Sequence, residues 1–268
     1  VSKVRSRAEI PRASRIVVKV GSSSISGANA GQIGPLVDAL ASAHARGCEV
    51  VLVSSGAIAT GMPFLNLDSL PTDLATQQAA AAVGQNLLIY RYQESLRPYA
   101  IVAGQVLLTG GDMENPTHRS NAQRAMERLL GLRILPIVNE NDTVATQEIR
   151  FGDNDRLAAL VAELIEADLL VLLSDVDSLY TKPPQEPGAL RIADVPYGDD
   201  LAAVTFGDIG AAGVGTGGAG TKVAAARYAA SIGTPVLIAE TGSAMDALAG
   251  ADLGTWFAAA SLGAVISS

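Results

Sequence analysis

Short apolar runs recur along this chain, each closed by a polar or glycine-rich loop, and they alternate with stretches whose apolar positions fall at helical spacing. Residues 15–20 (RIVVKV) read as a buried strand ended by Gly21-Ser22-Ser23-Ser24. Residues 32–46 carry a helical pattern that stops at Gly47, a natural C-terminal cap. A second strand follows at 48–53 (CEVVLV), closed by Ser54-Ser55-Gly56, and then a long Gln- and Ala-rich helix over 71–96, opened by Pro71 and Thr72. Further strands are expected at 102–108, 134–138, 169–173 and 236–239. Helical patterns separate them at 121–130, 156–165 and 222–232.

This alternation predicts an α/β fold, a three-layer αβα sandwich around a mainly parallel sheet. Residues 143–151 (TVATQEIRF) differ, alternating like an antiparallel ribbon between two polar clusters. The sequence shows no internal repeat and no Pro/Ser-rich linker. One unit, 1–268, is expected, with lobes of 15–150 and 151–268 meeting near residue 150. In such sheets ligands gather at the carboxyl ends of strands and the amino ends of helices.

Composition narrows the function. Apolar residues make up 49% of the 268, which is ample for a core, while aromatics are 4%, so aliphatic side chains must fill it. No apolar run reaches the roughly 18 residues of a membrane span. The nearest, 159–173, is interrupted by Glu163, Glu166 and Asp168. The first eleven residues lack the apolar block of a signal peptide. A single cysteine, Cys48, excludes an intrachain disulfide and reads as a small buried hydrophobe. A soluble protein of a reducing cytoplasm is expected, with no membrane partner. The net charge of −8 argues against nucleic acid, whose binders carry a basic face. An anionic ligand such as ATP would then need a few placed lysines and backbone amides.

Three loops fit that need. Lys19 stands near the end of an apolar strand, where an unpaired ammonium is costly. It either projects into a crevice beside Gly21 or snorkels from a sheet edge. The loop Gly215-Thr216-Gly217-Gly218-Ala219-Gly220-Thr221-Lys222 offers unhindered backbone N–H groups directly before a helix, with Lys222 in its first turn. A cation there opposes the helix dipole and calls for a compensating anion, unless the loop is a flexible glycine stretch with a solvent-facing lysine. Val53-Ser54-Ser55-Gly56-Ala57 runs from strand to turn to helix and suits a carboxylate at Ser55, although such turns are often purely structural. Residues 213–218 match the dinucleotide pattern G-x-G-x-x-G but follow no strand, so that reading fails. No P-loop is present either.

Two polar clusters, Asn139-Glu140-Asn141-Asp142 and Gly152-Asp153-Asn154-Asp155, lie at element ends near the lobe junction. Each reads as an Asx-rich turn or cap, Asp155 as a cap of the next helix, or as a reader of an amino acid through Asp142 and Asn154. Ser174-Asp175 follows the strand at 169–173 in the position of a nucleotide contact or a turn. His44 and His118 are the only histidines and neither sits in a strand-end loop beside a carboxylate, so a serine–histidine triad is not expected. Without clustered His or Cys no protein-built metal site is expected, and any metal is Mg²⁺ arriving with ATP. Phosphoryl transfer run by lysines and positioning is the chemistry left.

These loops, in this order, resemble the amino acid kinase superfamily and within it the glutamate 5-kinases. The resemblance spans about residues 15 to 257 and rests on VSSGAIA at 53–59, GQVLLT at 104–109, VNENDTVAT at 138–146, EIRFGDNDR at 148–156, residues 172–180 and GTGGAGTK at 215–222, together with Lys19-Val20-Gly21. It implies that Lys19 and Lys222 neutralise the phosphoryl group in flight and that Asp155 holds them. Ser55, Asp142 and Asn154 would bind glutamate. Lys19, Ser174, Asp175, Thr216, Gly217, Gly218, Ala219, Gly220, Thr221 and Lys222 would contact ATP. The first lobe would take the acceptor and the second the nucleotide. Phosphorylation of another acidic amino acid, aspartate or N-acetylglutamate, is the alternative reaction, and a silent amino-acid sensor the alternative class. The resemblance further implies feedback inhibition by proline and a homo-oligomer, dimer or tetramer. Many relatives continue into a small C-terminal domain of the PUA type, which this sequence does not contain.

Overall fold

The computed structural model describes residues 4–145, 154–202, 204 and 218–260. Its centre is an eight-stranded sheet. The strands are β1 (Arg15–Val20), β2 (Glu49–Ser54), β3 (Ala103–Leu108), β4 (Leu135–Glu140), β5 (Leu169–Ser174), β8 (Asp194–Val195), β9 (Val236–Glu240) and β10 (Thr255–Phe257), in the spatial order β3-β4-β2-β1-β5-β9-β10-β8. Only the β9–β10 pair is antiparallel. A separate two-stranded ribbon joins β6 (Leu179–Tyr180) to β7 (Arg191–Ile192).

The period of two along each strand sorts side chains between two cores. Ile16, Val18 and Val20 of β1, with Val50 and Leu52 of β2, pack beneath α1 (Ile33–Ala45), α3 (Leu74–Leu96) and α8 (Ala244–Leu248). Val17, Val51 and Val53 face the other way, onto α5 (Pro116–Gly131), α6 (Asn154–Leu164) and α7 (Ala219–Ser231). Helices on both faces explain why the strands read as continuous apolar runs. The expected αβα sandwich is the fold observed. Cys48 is buried, and burial pushes its thiol up to about 12, consistent with an inert hydrophobe.

The elements extend into polar sequence where periodicity fades. β2, β4, β5 and β9 each end on a polar residue, Ser54, Glu140, Ser174 and Glu240, because the backbone ladder continues whatever the side chain. α3 begins at Leu74 instead of Pro71, since Asp73 accepts the Thr76 N–H at 2.8 Å. α5 starts five residues before its apolar pattern, with Pro116 at its first position and Asn115 capping the N–H groups of Thr117 and His118. The ribbon expected over 143–151 begins as a turn, the Asn141 carbonyl accepting from Val144 and Ala145; residues 146–151 lie outside the described ones. Among the described residues no helix is long and apolar enough to cross a membrane.

One packing contact brings two helix backbones together. α2 (Ala57–Gly61) crosses α3 backbone to backbone. A Cβ on Gly84 would stand 1.7 Å from the Ala57 carbonyl oxygen, and one on Gly61 1.9 Å from that of Ala80. Neither obstacle is a flexible side-chain end. Gly84→Ala must therefore push α2 away, with destabilisation of about 3 kcal/mol, the upper end of the usual overpacking range. Urea unfolding checks this, and a midpoint unchanged from wild type would contradict the contact.

Candidate active site

After β1 the chain lays β2 beside it, places β3 at the edge and β4 between β3 and β2, then returns to lay β5 and β9 on the other side of β1. That reversal opens a crevice at the carboxyl ends of the strands, where ligands bind in open α/β sheets. Lys19 stands there, paired in register with Val53 of β2 and Leu172 of β5. It is central in the sheet and 2% exposed, which excludes the snorkelling position at an edge.

Lys19 shares its face of β1 with Val17 and so points toward the α6 and α7 layer. Its Nζ lies 2.5 Å from Oδ1 of Asp155, which is fully buried. Lys222 reaches the other oxygen, Oδ2, at 3.3 Å from the first turn of α7. Thr221 Oγ1 lies 3.3 Å from that same oxygen and 2.9 Å from the Gly218 carbonyl. Asp155 is in the first turn of α6, where an anion suits the helix dipole, and is not the helix-capping residue that a turn reading allows. Lys222 opposes the dipole of its own helix, and the aspartate offsets that. Among the described residues, two ammonium groups thus share this one buried carboxylate, and a phosphate anion suits the same positive cluster.

The neighbouring loops converge on this cluster. The Ser55 N–H donates to the Val20 carbonyl at 3.2 Å, tying the end of β2 to that of β1. Gly56 turns there with φ +100, a left-handed conformation, and a Cβ on it would stand 3.3 Å from that of Ser22. Ser174 ends β5, its hydroxyl donating to Asp175 at 3.2 Å and its carbonyl accepting from Thr241 at 3.0 Å. Asp175 itself is exposed. Gly218, Ala219 and Gly220 open α7 beside the crevice. Asp142 sits in the turn after β4, two strands from Lys19. Thr216 and Gly217 lie outside the described residues. Among the described residues no three His, Cys, Asp or Glu side chains are grouped to hold a metal ion.

Asn154, one residue before Asp155, is buried and its Nδ2 donates to the Ser54 carbonyl and to Asn139 Oδ1, both at 2.7 Å. Asn139 Nδ2 donates in turn to Gln85 Oε1 of α3 at 2.6 Å. Ser54 Oγ lies 2.9 Å from the hydroxyl of Tyr92, which burial keeps neutral by pushing it far up. Sequence reading singled out neither Gln85 nor Tyr92. The only signal was a polar residue at a helix position three before Leu88 of the same core-facing stripe.

The amino acid kinase family pattern matches residues 14–240. The chain belongs to the amino acid kinase family. It is 74% identical to a glutamate 5-kinase of Clavibacter sepedonicus over 94% of this chain and 97% of that one. A glutamate 5-kinase of Leifsonia xyli is 73% identical over 98% and 97%. Against a glutamate 5-kinase of Streptomyces coelicolor the identity is 56%, covering 94% of this chain and 68% of the relative. Among solved structures, carbamate kinase from Giardia lamblia bound to AMP-PNP matches with a TM-score of 0.68 over 93% of this chain and all of that one. At 15% identity that likeness concerns the amino acid kinase fold alone.

Proposed function

We propose that this member of the amino acid kinase family transfers the terminal phosphoryl group of ATP to the side-chain carboxylate of L-glutamate. The product is L-glutamyl 5-phosphate, an acyl phosphate and the first intermediate toward proline. The observation that carries the reading is the identity of 73–75% to glutamate 5-kinases over nearly their whole length. The buried lysine–aspartate–lysine cluster at the sheet's switch point supports it.

The reaction brings two anions together. At ~4 Å their repulsion amounts to about 4 kcal/mol in a partly screened site. Lys19 and Lys222 flank the transferring group and offset its negative charge, while Asp155 fixes both ammoniums and leaves the chemistry to them. Ser174, Asp175 and the residues from Thr216 to Lys222 hold the nucleotide, the amides at the start of α7 donating to its phosphates. Ser55, Asp142 and Asn154 hold glutamate, Asp142 against its ammonium. Residues 15–150 thus form the acceptor lobe and 151–268 the nucleotide lobe. Mg²⁺ enters on the phosphates of ATP, neutralising charge there with water as its other ligands. The enzyme works in the cytoplasm as a homo-oligomer.

Acyl hydroxamate formation from ATP, Mg²⁺ and hydroxylamine, run over a panel of acidic amino acids, tests the reaction. Glutamate is expected to lead aspartate and N-acetylglutamate by at least about tenfold in kcat/KM, and preference for either of those would refute it. L-proline is expected to inhibit competitively. It keeps the α-carboxylate and a cationic amine for Ser55 and Asp142 but lacks the carboxylate that attacks ATP, so it occupies the acceptor site without reacting. Initial rates at several glutamate concentrations with millimolar proline check this. Inhibition that excess glutamate fails to relieve would show a separate effector site.

A further inference from the structure

The amide chain behind the crevice has a direction that backbone groups impose. The Glu140 N–H donates at 2.8 Å to the Asn139 side chain, so the accepting atom there must be Oδ1. Asn139 Nδ2 is thereby turned to Gln85, which must answer with its own oxygen, Oε1, at 2.6 Å. At the other end the Ser54 carbonyl can only accept, so Asn154 must present Nδ2 to it. That nitrogen's second hydrogen goes to Asn139 Oδ1. Two fixed backbone groups thus set every amide between them, and flipping any one would place like atoms in contact.

Both N–H bonds of Asn154 are consumed within the protein, which leaves its Oδ1 as the end for a ligand. A carbonyl oxygen accepts and does not donate. Glutamate carries two carboxylates and one ammonium, and the ammonium is its only donor. Gln85 lies one residue from Gly84, so the α2–α3 backbone contact that a side chain at Gly84 would break also sets how deep Gln85 reaches.

We propose that Gln85 is a positioning residue that acts through Asn139 to hold Asn154 with its carbonyl oxygen toward the acceptor's ammonium. The role rests on glutamate being the acceptor. It predicts a selective loss in the Gln85→Leu variant. Leucine leaves the buried Asn139 Nδ2 without its acceptor, so Asn139 shifts within its bond to the Glu140 N–H and carries Oδ1 away from Asn154 Nδ2. The KM for glutamate should rise about tenfold, as for losing a charge-assisted hydrogen bond. The inhibition constant of glutarate, the same dicarboxylate without the ammonium, and the KM for ATP should stay within about twofold. Gln85→Glu keeps an oxygen opposite Asn139 Nδ2 and should return the glutamate KM toward wild type. It also serves as the second variant if Gln85→Leu yields little folded protein.

The wild-type assay with glutamate comes first and separates two failures. If glutamate is not phosphorylated, the proposed reaction falls and this role with it. If glutamate is phosphorylated but either variant weakens glutamate and glutarate together, Gln85 supports the fold only and the proposal is overturned. An unchanged glutamate KM in Gln85→Leu overturns it equally.

Discussion

Replacing Lys222 by methionine is expected to lower kcat by about 10²–10³-fold or more while the KM for glutamate stays within about twofold. Methionine fills nearly the same buried volume, so the fold has little reason to change. The variant loses one of the two ammonium groups that Asp155 holds, and with it one positive charge beside the crevice. Ground-state binding of glutamate depends on other loops and should persist. The cost appears where negative charge meets the incoming carboxylate, in the chemical step. Single-turnover rates at saturating ATP measure that step directly. A near-normal single-turnover rate with only the KM for ATP raised would mean that Lys222 merely binds nucleotide.

Asp155→Asn should cost both stability and rate. The amide matches the carboxylate in size but removes the anion shared by two ammonium groups that are 2% and 7% exposed. Breaking a buried ion pair by neutralising one partner typically destabilises by about 3–5 kcal/mol, because the remaining charges are left uncompensated. Loss of lysine geometry should add a fall in kcat of about 10²-fold or more. The accompanying signature is ligand dependence. ATP restores an anion to the cluster, so it should raise the Tm of Asp155→Asn by more than it raises that of the wild type. Equal shifts would show that the nucleotide phosphates do not reach these lysines.

Much of this arrangement was legible because it depends on local pattern. Apolar runs marked the buried strands, and the polar loops that end them fell at the crevice. Lys19 was conspicuous as a charge within an apolar strand, and Lys222 as a cation at the wrong end of a helix; one aspartate accounts for both. What the sequence left undecided depended on long-range partners. Asp155 read equally as a cap until α6 was seen to begin before it. Ser54 and Asn139 looked like turn residues, although their bonds reach Tyr92 and Gln85, 38 and 54 residues away. Gln85's place three before Leu88 was a weak signal, because one buried glutamine in a Gln- and Ala-rich helix resembles its half-buried neighbours Gln77 and Gln78. The short elements α4 (Gly110–Glu114), α8, β8 and β10 are too brief for periodicity to register.

The central claim is that an oxygen of the glutamate side chain attacks the terminal phosphorus of ATP. Glutamate labelled with ¹⁸O in its side-chain carboxylate tests it most directly. Hydroxylamine captures the acyl phosphate at carbon, breaking the carbon–oxygen bond, so the attacking oxygen leaves with the phosphate. Mass spectrometry of that phosphate should show one ¹⁸O from glutamate in each molecule formed alongside hydroxamate. Phosphate free of label, at rates independent of glutamate, would mean that water is the acceptor and would contradict the account.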